Sequence, residues 1–278
     1  MIQDRLFLAL SRSRGCKRRL GANLLAAMAF LGVVHAAMGA PSLPGPPFRP
    51  GESLLFDISW MGIQGGEGKL SVLEETSLRG HKVFTLEIKA TSTGWVRSLY
   101  PVDDRTISFF DIEGNFSRKV DISIAENRYR KKKIIEFHQE QGKAYYTVNQ
   151  DPPEEFDIDK SSQDSFSALY ALRTMRPAVS VGAVIMIPIF EDKTRYLLEV
   201  RVIRKERIEC TEGFVDTVVI EPKLKTEGIF SRKGSMTVWL TDDEYLTPVR
   251  MQSKVLIGSF EATLKTHRGA NIHFIPKQ

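Results

Sequence analysis

Starting at Glu52, apolar side chains recur at every second position. Leu54, Phe56, Ile58 and Trp60 alternate with Asp57 and Ser59. Phe84, Leu86, Ile88 and Ala90 alternate with Thr85, Glu87 and Lys89, and Val120, Ile122 and Ile124 with Lys119, Asp121 and Ser123. The same period returns over Tyr196, Leu198, Val200 and Val202, and over Phe260, Ala262 and Leu264. A period of two sends successive side chains to opposite faces of a strand. Each run therefore offers one face to a core and one to water, as antiparallel sheets allow. Arg79-Gly80, Glu113-Gly-Asn115, Gln141-Gly142, Glu212-Gly213, Lys233-Gly234 and Ile257-Gly258 punctuate the runs, many at hairpin spacing. Strand and helix patterns do not alternate, so a parallel sheet is not expected.

One segment departs from this rhythm. Residues 162–175 read as a helix, with Ser161 or Ser162 as cap, Asp164 at the positive N-terminal end, and Arg176-Pro177 as the stop. Phe166, Ala168, Leu169, Tyr170, Leu172 and Met175 cover more than half of its circumference, too much for a helix lying on a surface. The helix is expected inside the curve of the sheet, with Leu169 buried and Ser167 on the narrow polar side. Arg173, on or beside the apolar side, then needs a carboxylate or carbonyl partner.

The N-terminus carries a different message. Arg5, Arg12, Arg14, Lys17, Arg18 and Arg19 precede an apolar run, Leu24–Val34, followed by small residues to Ala40. This is the layout of a secretory signal peptide, residues 1–40, with cleavage after Ala36, Gly39 or Ala40. The run is short for a bilayer span; an uncleaved anchor is the alternative. Residues 41–50 contain five prolines and read as an extended leader ahead of the folded domain.

Removing residues 1–40 changes the charge argument. The chain has 39 basic and 34 acidic residues, net +5. The segment holds the six bases above and one acid, Asp4, so the rest of the chain is neutral. A neutral body argues against nucleic acid as a partner. It keeps one cysteine, Cys210, and so no intramolecular disulfide. About 235 residues are enough for a single packed β domain.

The sheet with one mid-chain helix resembles the exported bacterial proteins grouped as DUF3108. The resemblance runs from Gly51-Glu52 to about residue 266. It is carried by Phe56-Asp-Ile-Ser-Trp-Met-Gly-Ile63, Gly66-Glu-Gly68, Asp104-Arg105, Gln163–Arg173, Gly234–Asp243, Pro248-Val249 and Ile257-Gly-Ser259. It implies an exported, mainly β protein: a strongly curved antiparallel sheet, an incomplete or flattened barrel. Here that domain is expected over 51–270, with a helix packed in its concavity and residues 271–278 as a C-terminal tail. The resemblance implies no activity.

Sequence signals for chemistry are sparse. His81, His138, His267 and His273 form no metal-ligand spacing, and no phosphate loop or nucleophile elbow occurs. Neither a metal nor a cofactor is expected, and the protein is read as non-enzymatic. Asp242-Asp243-Glu244 fits a turn between strands better than paired catalytic acids. Arg128–Lys133 is the basic run of the body. It suits lipid headgroups or acidic polysaccharide, or else a strand guarded against edge pairing. A hairpin through Gln141-Gly142 is expected to bring the acidic stretch 151–159 near it.

The aromatic residues remain. Trp60, Phe166, Tyr170 and Trp239, with Trp95, are expected to approach the concavity. The first four are the candidate ligand-binding residues if that space is a groove rather than a filled core. The expected function is a periplasmic envelope protein binding or carrying a lipid-like or amphiphilic molecule. The alternatives are a scaffold for another envelope protein and, last, a hydrolase of an envelope polymer.

Overall fold

The structure, a computed structural model, describes residues 45–226, 229–230, 235–255 and 258–277. The expected signal peptide and the Lys233-Gly234 turn lie outside them. The strands are β1 (Ser53–Trp60), β2 (Ile63–Leu78), β3 (His81–Ser92), β4 (Asp103–Asp111), β5 (Ser117–Glu126), β6 (Tyr129–His138), β7 (Lys143–Val148), β8 (Glu154–Asp157), β9 (Val184–Glu191), β10 (Thr194–Cys210), β11 (Gly213–Thr226), β12 (Ile229–Phe230), β13 (Ser235–Thr241), β14 (Pro248–Lys254) and β15 (Ser259–Arg268). Two short helices interrupt them, α1 (Gly94–Leu99) and α2 (Ser167–Thr174). Among the described residues no helix is long and apolar enough to cross a membrane.

All the strands belong to one antiparallel sheet, ordered β8-β7-β6-β5-β4-β3-β2-β1-β15-β14-β13-β11-β10-β9, with β12 on β11. The alternating runs of the sequence become strands, and Arg79-Gly80 is a two-residue turn with both residues at positive φ. The first and last strands meet in mid-sheet: β1 pairs with β15 on one side and β2 on the other. The edges β8 and β9 come together without a ladder. Side chains bridge them: Lys133 reaches Asp192 at 2.7 Å, and Phe156 and Phe137 pack on Phe190. Gln163 closes part of the gap through backbone bonds to Pro188 and Phe190. The result is the open, barrel-like sheet expected, with α2 inside it.

Gly66-Glu-Gly68 marks a close approach. A Cβ at Gly66 would stand 2.7 Å from the Thr91 carbonyl, and one at Gly68 3.2 Å from Ile58 Cδ1. At Gly66 the obstacle is a backbone carbonyl that cannot yield, so only glycine lets β2 and β3 pack this tightly there.

Several expectations require correction. α2 begins at Ser167 rather than at residue 162, and neither Ser161 nor Ser162 caps it. Ser161 sits at positive φ, and Ser162 Oγ bonds the Asp159 carbonyl. The cap is Asp164, whose Oδ1 accepts the N–H groups of Phe166 and Ser167. Its Oδ2 accepts the hydroxyls of Ser108 and Ser117, so one carboxylate pins the helix start to the sheet. Ser167 is not on an exposed polar side; it is fully buried, donating to Gln163. Leu169 is only half-buried.

The leader reading also changes. Phe48, within 41–50, is buried, with its ring 4.8 Å from Tyr170 and 5.8 Å from both Phe84 and Phe110. Its burial outweighs the local polyproline character, because a buried phenylalanine contributes about 1.5–3 kcal/mol. Residues 271–277 are also tied down: Ile275 exchanges backbone bonds with Phe214, and Lys277 pairs with Glu209. Finally, β6 is not an edge strand, since it lies between β5 and β7. The acidic stretch after β7 pairs with Lys143, Lys193 and Arg195 rather than with Arg128–Lys132.

Candidate functional site

The interior divides at α2. Toward one end of the sheet, Phe48, Leu54, Phe84, Leu86, Phe110 and Tyr170 form a packed floor. Arg173 is buried there with the partner its position demanded. Its guanidinium makes two bonds to the Glu52 carboxylate, Nη2 to Oε2 being 3.0 Å, and its Nε donates to the Tyr245 carbonyl at 3.0 Å. It also lies 5.0 Å from the Phe48 ring centre and 5.4 Å from that of Tyr170. A buried charge is tolerated only when paired and bonded in this way.

On the other side of α2 lies an apolar cavity of about 120 Å³. Its wall is built from Phe56 and Ile58 on β1, Leu70 on β2, Ile88 and Ala90 on β3, Met236 and Val238 on β13, Met251 on β14 and Ala262 on β15. Phe166, Leu169 and Leu172 of the α2 segment form its base. Each strand contributes the same parity of residue, which is why the wall is apolar throughout. Lys89, also at the wall, turns its ammonium to Glu87 on the outer face.

A second cavity of about 60 Å³ adjoins the first, sharing Ile88, Ser165 and Phe166. Its polar edge is formed by Asp164, Glu191 and Lys133. Glu191 is half-buried at this small space, and desolvation raises its pKa to about 7 despite the hydroxyl that Ser165 donates to it.

The predicted ligand residues separate. Phe166 lines both cavities. Tyr170 does not; it is buried between Phe48 and Phe166 on the floor side. Trp60 keeps the inward parity of β1 but stands at the strand tip, 42% exposed and beyond the wall. Trp239 has the opposite parity to Met236 and Val238. It lies outside the cavity, donating to the Glu206 carboxylate and stacking with Arg250. Trp95, on α1, is 61% exposed. The aliphatic wall residues were not singled out as ligand residues; Ile58, Ile88, Ala90 and Ala262 belong to the alternating runs, whereas Leu70, Met236, Val238 and Met251 lie outside them.

The other candidate groups find ordinary partners. Asp243 Oδ1 accepts from Thr241, Tyr245 and Leu246, making a turn, and Asp242 pairs with Arg176 and Lys205. His81 stands beside Asp111 and Glu140, His138 beside Glu136, and His267 beside Glu212. Among the described residues no three His, Cys, Asp or Glu side chains converge as a metal site.

An incomplete antiparallel barrel closed over an internal helix, with an apolar chamber on one side, is the class of protein this geometry defines. Residues 55–265 match the family defined as a protein of unknown function, DUF3108, and the chain belongs to that family. Its fold is similar to a β-barrel-like protein of another domain of unknown function, DUF1849, from Brucella abortus. That likeness has 12% identity and a TM-score of 0.53, and covers 81% of this chain and 99% of the other. A protein with a YmcC-like fold from Bacteroides fragilis is a more distant likeness, at 8% identity and a TM-score of 0.36, covering 80% of this chain and 98% of the other. No curated protein sequence matches the chain.

Proposed function

We propose that this protein is a non-enzymatic binding or carrier module of the periplasm, taking the apolar part of an envelope amphiphile into the chamber beside α2. The observation that carries the reading is the chamber itself, an unfilled space with an almost wholly apolar wall. Unfilled volume costs stability, about 24 cal/mol per Å³ in cores, and a space of this size resembles the engineered apolar cavity of about 150 Å³ that takes up benzene. It is smaller than the roughly 300–1,000 Å³ of pockets that enclose whole drug-sized ligands. The occupant is therefore the end of one hydrocarbon chain or a compact apolar group, with any polar head left outside. The signal-peptide pattern at the N-terminus supports the periplasmic address.

The alternatives have less support. For edge pairing with a partner protein, β8 offers four residues, and the Pro188 carbonyl of β9 already accepts from Gln163. For a hydrolase, Ser165, whose hydroxyl donates to Glu191, is the nearest arrangement. However, the adjacent backbone donors at Phe166 and Ser167 are occupied by Asp164, so the hydroxyl lacks free donors there for a developing oxyanion.

Native mass spectrometry, with lipid extraction, of protein purified from a bacterial envelope tests the proposal. An amphiphile that co-purifies with the wild type and is lost from Ala262→Leu, which fills the chamber, is the expected result. A wild type with no adduct that also fails to bind fatty acids or phospholipids in titration would overturn it.

A further inference from the structure

The end of the sheet beyond the chamber carries an exposed apolar rim with a basic flank. Along β1 the inward positions run from Leu54 in the floor, through Phe56 and Ile58 in the chamber wall, to Trp60 at the tip. Beyond the tip, Met61 and Ile63 are 60% and 52% exposed. α1 lies at this same end, because Ser92 at the end of β3 pairs with Gly66 near the start of β2, and Val96 packs over Gly65. α1 buries no residue and leaves Trp95 and Leu99 in the open. These apolar side chains add little to any core, and a cluster of them on a surface marks a contact site.

The neighbouring hairpin supplies charge. The Pro101 carbonyl accepts the Asn127 N–H, and Tyr100 donates to Glu126, which fixes the β5–β6 tip beside α1. That tip exposes Arg128, Tyr129, Arg130 and Lys132, and Arg97 on α1 is also exposed. Among the described residues no ion pair joins these four cations to a carboxylate. Asp103, Asp151 and Glu154 are exposed acids on the neighbouring segments, Glu154 being paired with Lys193.

We infer that this rim docks on an anionic phospholipid bilayer, with Trp60, Trp95 and Leu99 entering the headgroup–acyl boundary and Arg128 and Lys132 meeting lipid phosphates. Aromatic and aliphatic tips flanked by Arg and Lys are the side chains that settle at such a boundary. A symmetric contact between two copies would set the same bases against each other and is disfavoured. Docking here rests on the rim, not on what fills the chamber, but it would bring the chamber up against acyl chains.

Vesicle flotation tests this, using protein with the N-terminus that the expressing bacterium leaves, identical in every variant. The wild type should float with phosphatidylglycerol–phosphatidylcholine vesicles, less so in high salt, and poorly with phosphatidylcholine alone. Trp95→Ser with Leu99→Ser should lower partitioning about tenfold, and Arg128→Glu with Lys132→Glu about as much, with unchanged thermal melts. A wild type that floats with neither vesicle, or variants that float as well as the wild type, would overturn the inference. So would a wild-type dimer that these substitutions turn into monomers. Fatty-acid titration of the same variants separates the two proposals. Intact fatty-acid binding without flotation rejects the rim alone, and flotation without fatty-acid binding rejects the chamber alone.

Discussion

The two sides of α2 are built from the same strands and have opposite packing. On the floor side, Phe48 fills the space between Phe84, Phe110 and Tyr170, and every hydrogen-bonding nitrogen of Arg173 has a partner. A few residues further along β1 and β3, the same inward parity leads to a hole. A protein able to fill one end this completely has no evident structural reason to leave the other open. The contrast is the main ground for reading the chamber as a receptacle rather than as loose packing.

The sharpest test is at the floor. Glu52→Leu strands the Arg173 guanidinium in the core and should cost about 3–5 kcal/mol in denaturant melts. Glu52→Leu with Arg173→Met should recover much of that loss, because a buried pair replaced by apolar groups is often nearly neutral. Phe48→Ala should cost about 3–5 kcal/mol. A loss under about 1 kcal/mol would mean that the floor is no better packed than the chamber.

On the chamber side the sign should differ. Ala262→Leu should change stability by less than about 1 kcal/mol, in either direction, because there is room for it. It should also abolish uptake of apolar probes. Leu169→Ala, at a half-buried position lining the space, should cost about 1 kcal/mol, below the roughly 2–5 kcal/mol of fully buried leucines. If Ala262→Leu proves as damaging as Phe48→Ala, the chamber is not truly open.

Glu191 gives the comparison a pH axis. Its carboxyl has a folded-state pKa of about 7 against an ordinary 4.5, because burial penalises the charged form. Between those values the folded chain holds a proton that the unfolded chain has lost. Stability from this group is therefore full below pH 4.5, falls as pH rises, and is gone above about pH 7. The size is on the order of 2 kcal/mol, since water entering the small adjoining cavity would relieve part of the burial. Glu191→Gln should flatten melting temperature against pH in that window; an unchanged slope would assign it to another group.

On probe binding the smallest effect is expected at Trp239, which does not line the chamber. Trp239→Phe loses the bond to Glu206, costing about 1 kcal/mol, and should leave probe binding unaltered, since the ring is outside the chamber. Weakened binding would mean that the ligand extends past β13.

Much of the architecture was legible because period-two patterning and turn residues are local signals. The runs around Leu54–Trp60 and Phe84–Ala90 became strands, and Arg173 found a carboxylate as its burial demanded. What was not legible depended on contacts distant in sequence. Nothing local announces that Phe48 reaches Tyr170, or that Asp164 rather than a serine caps α2 while also binding Ser108 and Ser117. The candidate site was half visible. Phe166 does line the cavity, whereas Trp60, Tyr170 and Trp239 do not, and most of the wall is aliphatic, with Leu169, Met236 and Ala262 among its residues. Parity indicates which way Trp60 faces, not how far along the strand the chamber extends.

The pairing of β1 with β15 sets a timetable. The centre of the sheet is a seam between the first strand synthesised and the last, with Leu54 opposite His267 and Trp60 opposite Phe260. Until Ser259–Arg268 has emerged, β1 has only β2 beside it, and the Ala262 wall of the chamber is missing. No N-terminal fragment can finish this sheet early. Contacts at such separation make closure slow, and the half-built sheet exposes a sticky edge meanwhile. The order of synthesis and the order of assembly are thus uncoupled, and the nascent chain needs shelter until its last hairpin arrives.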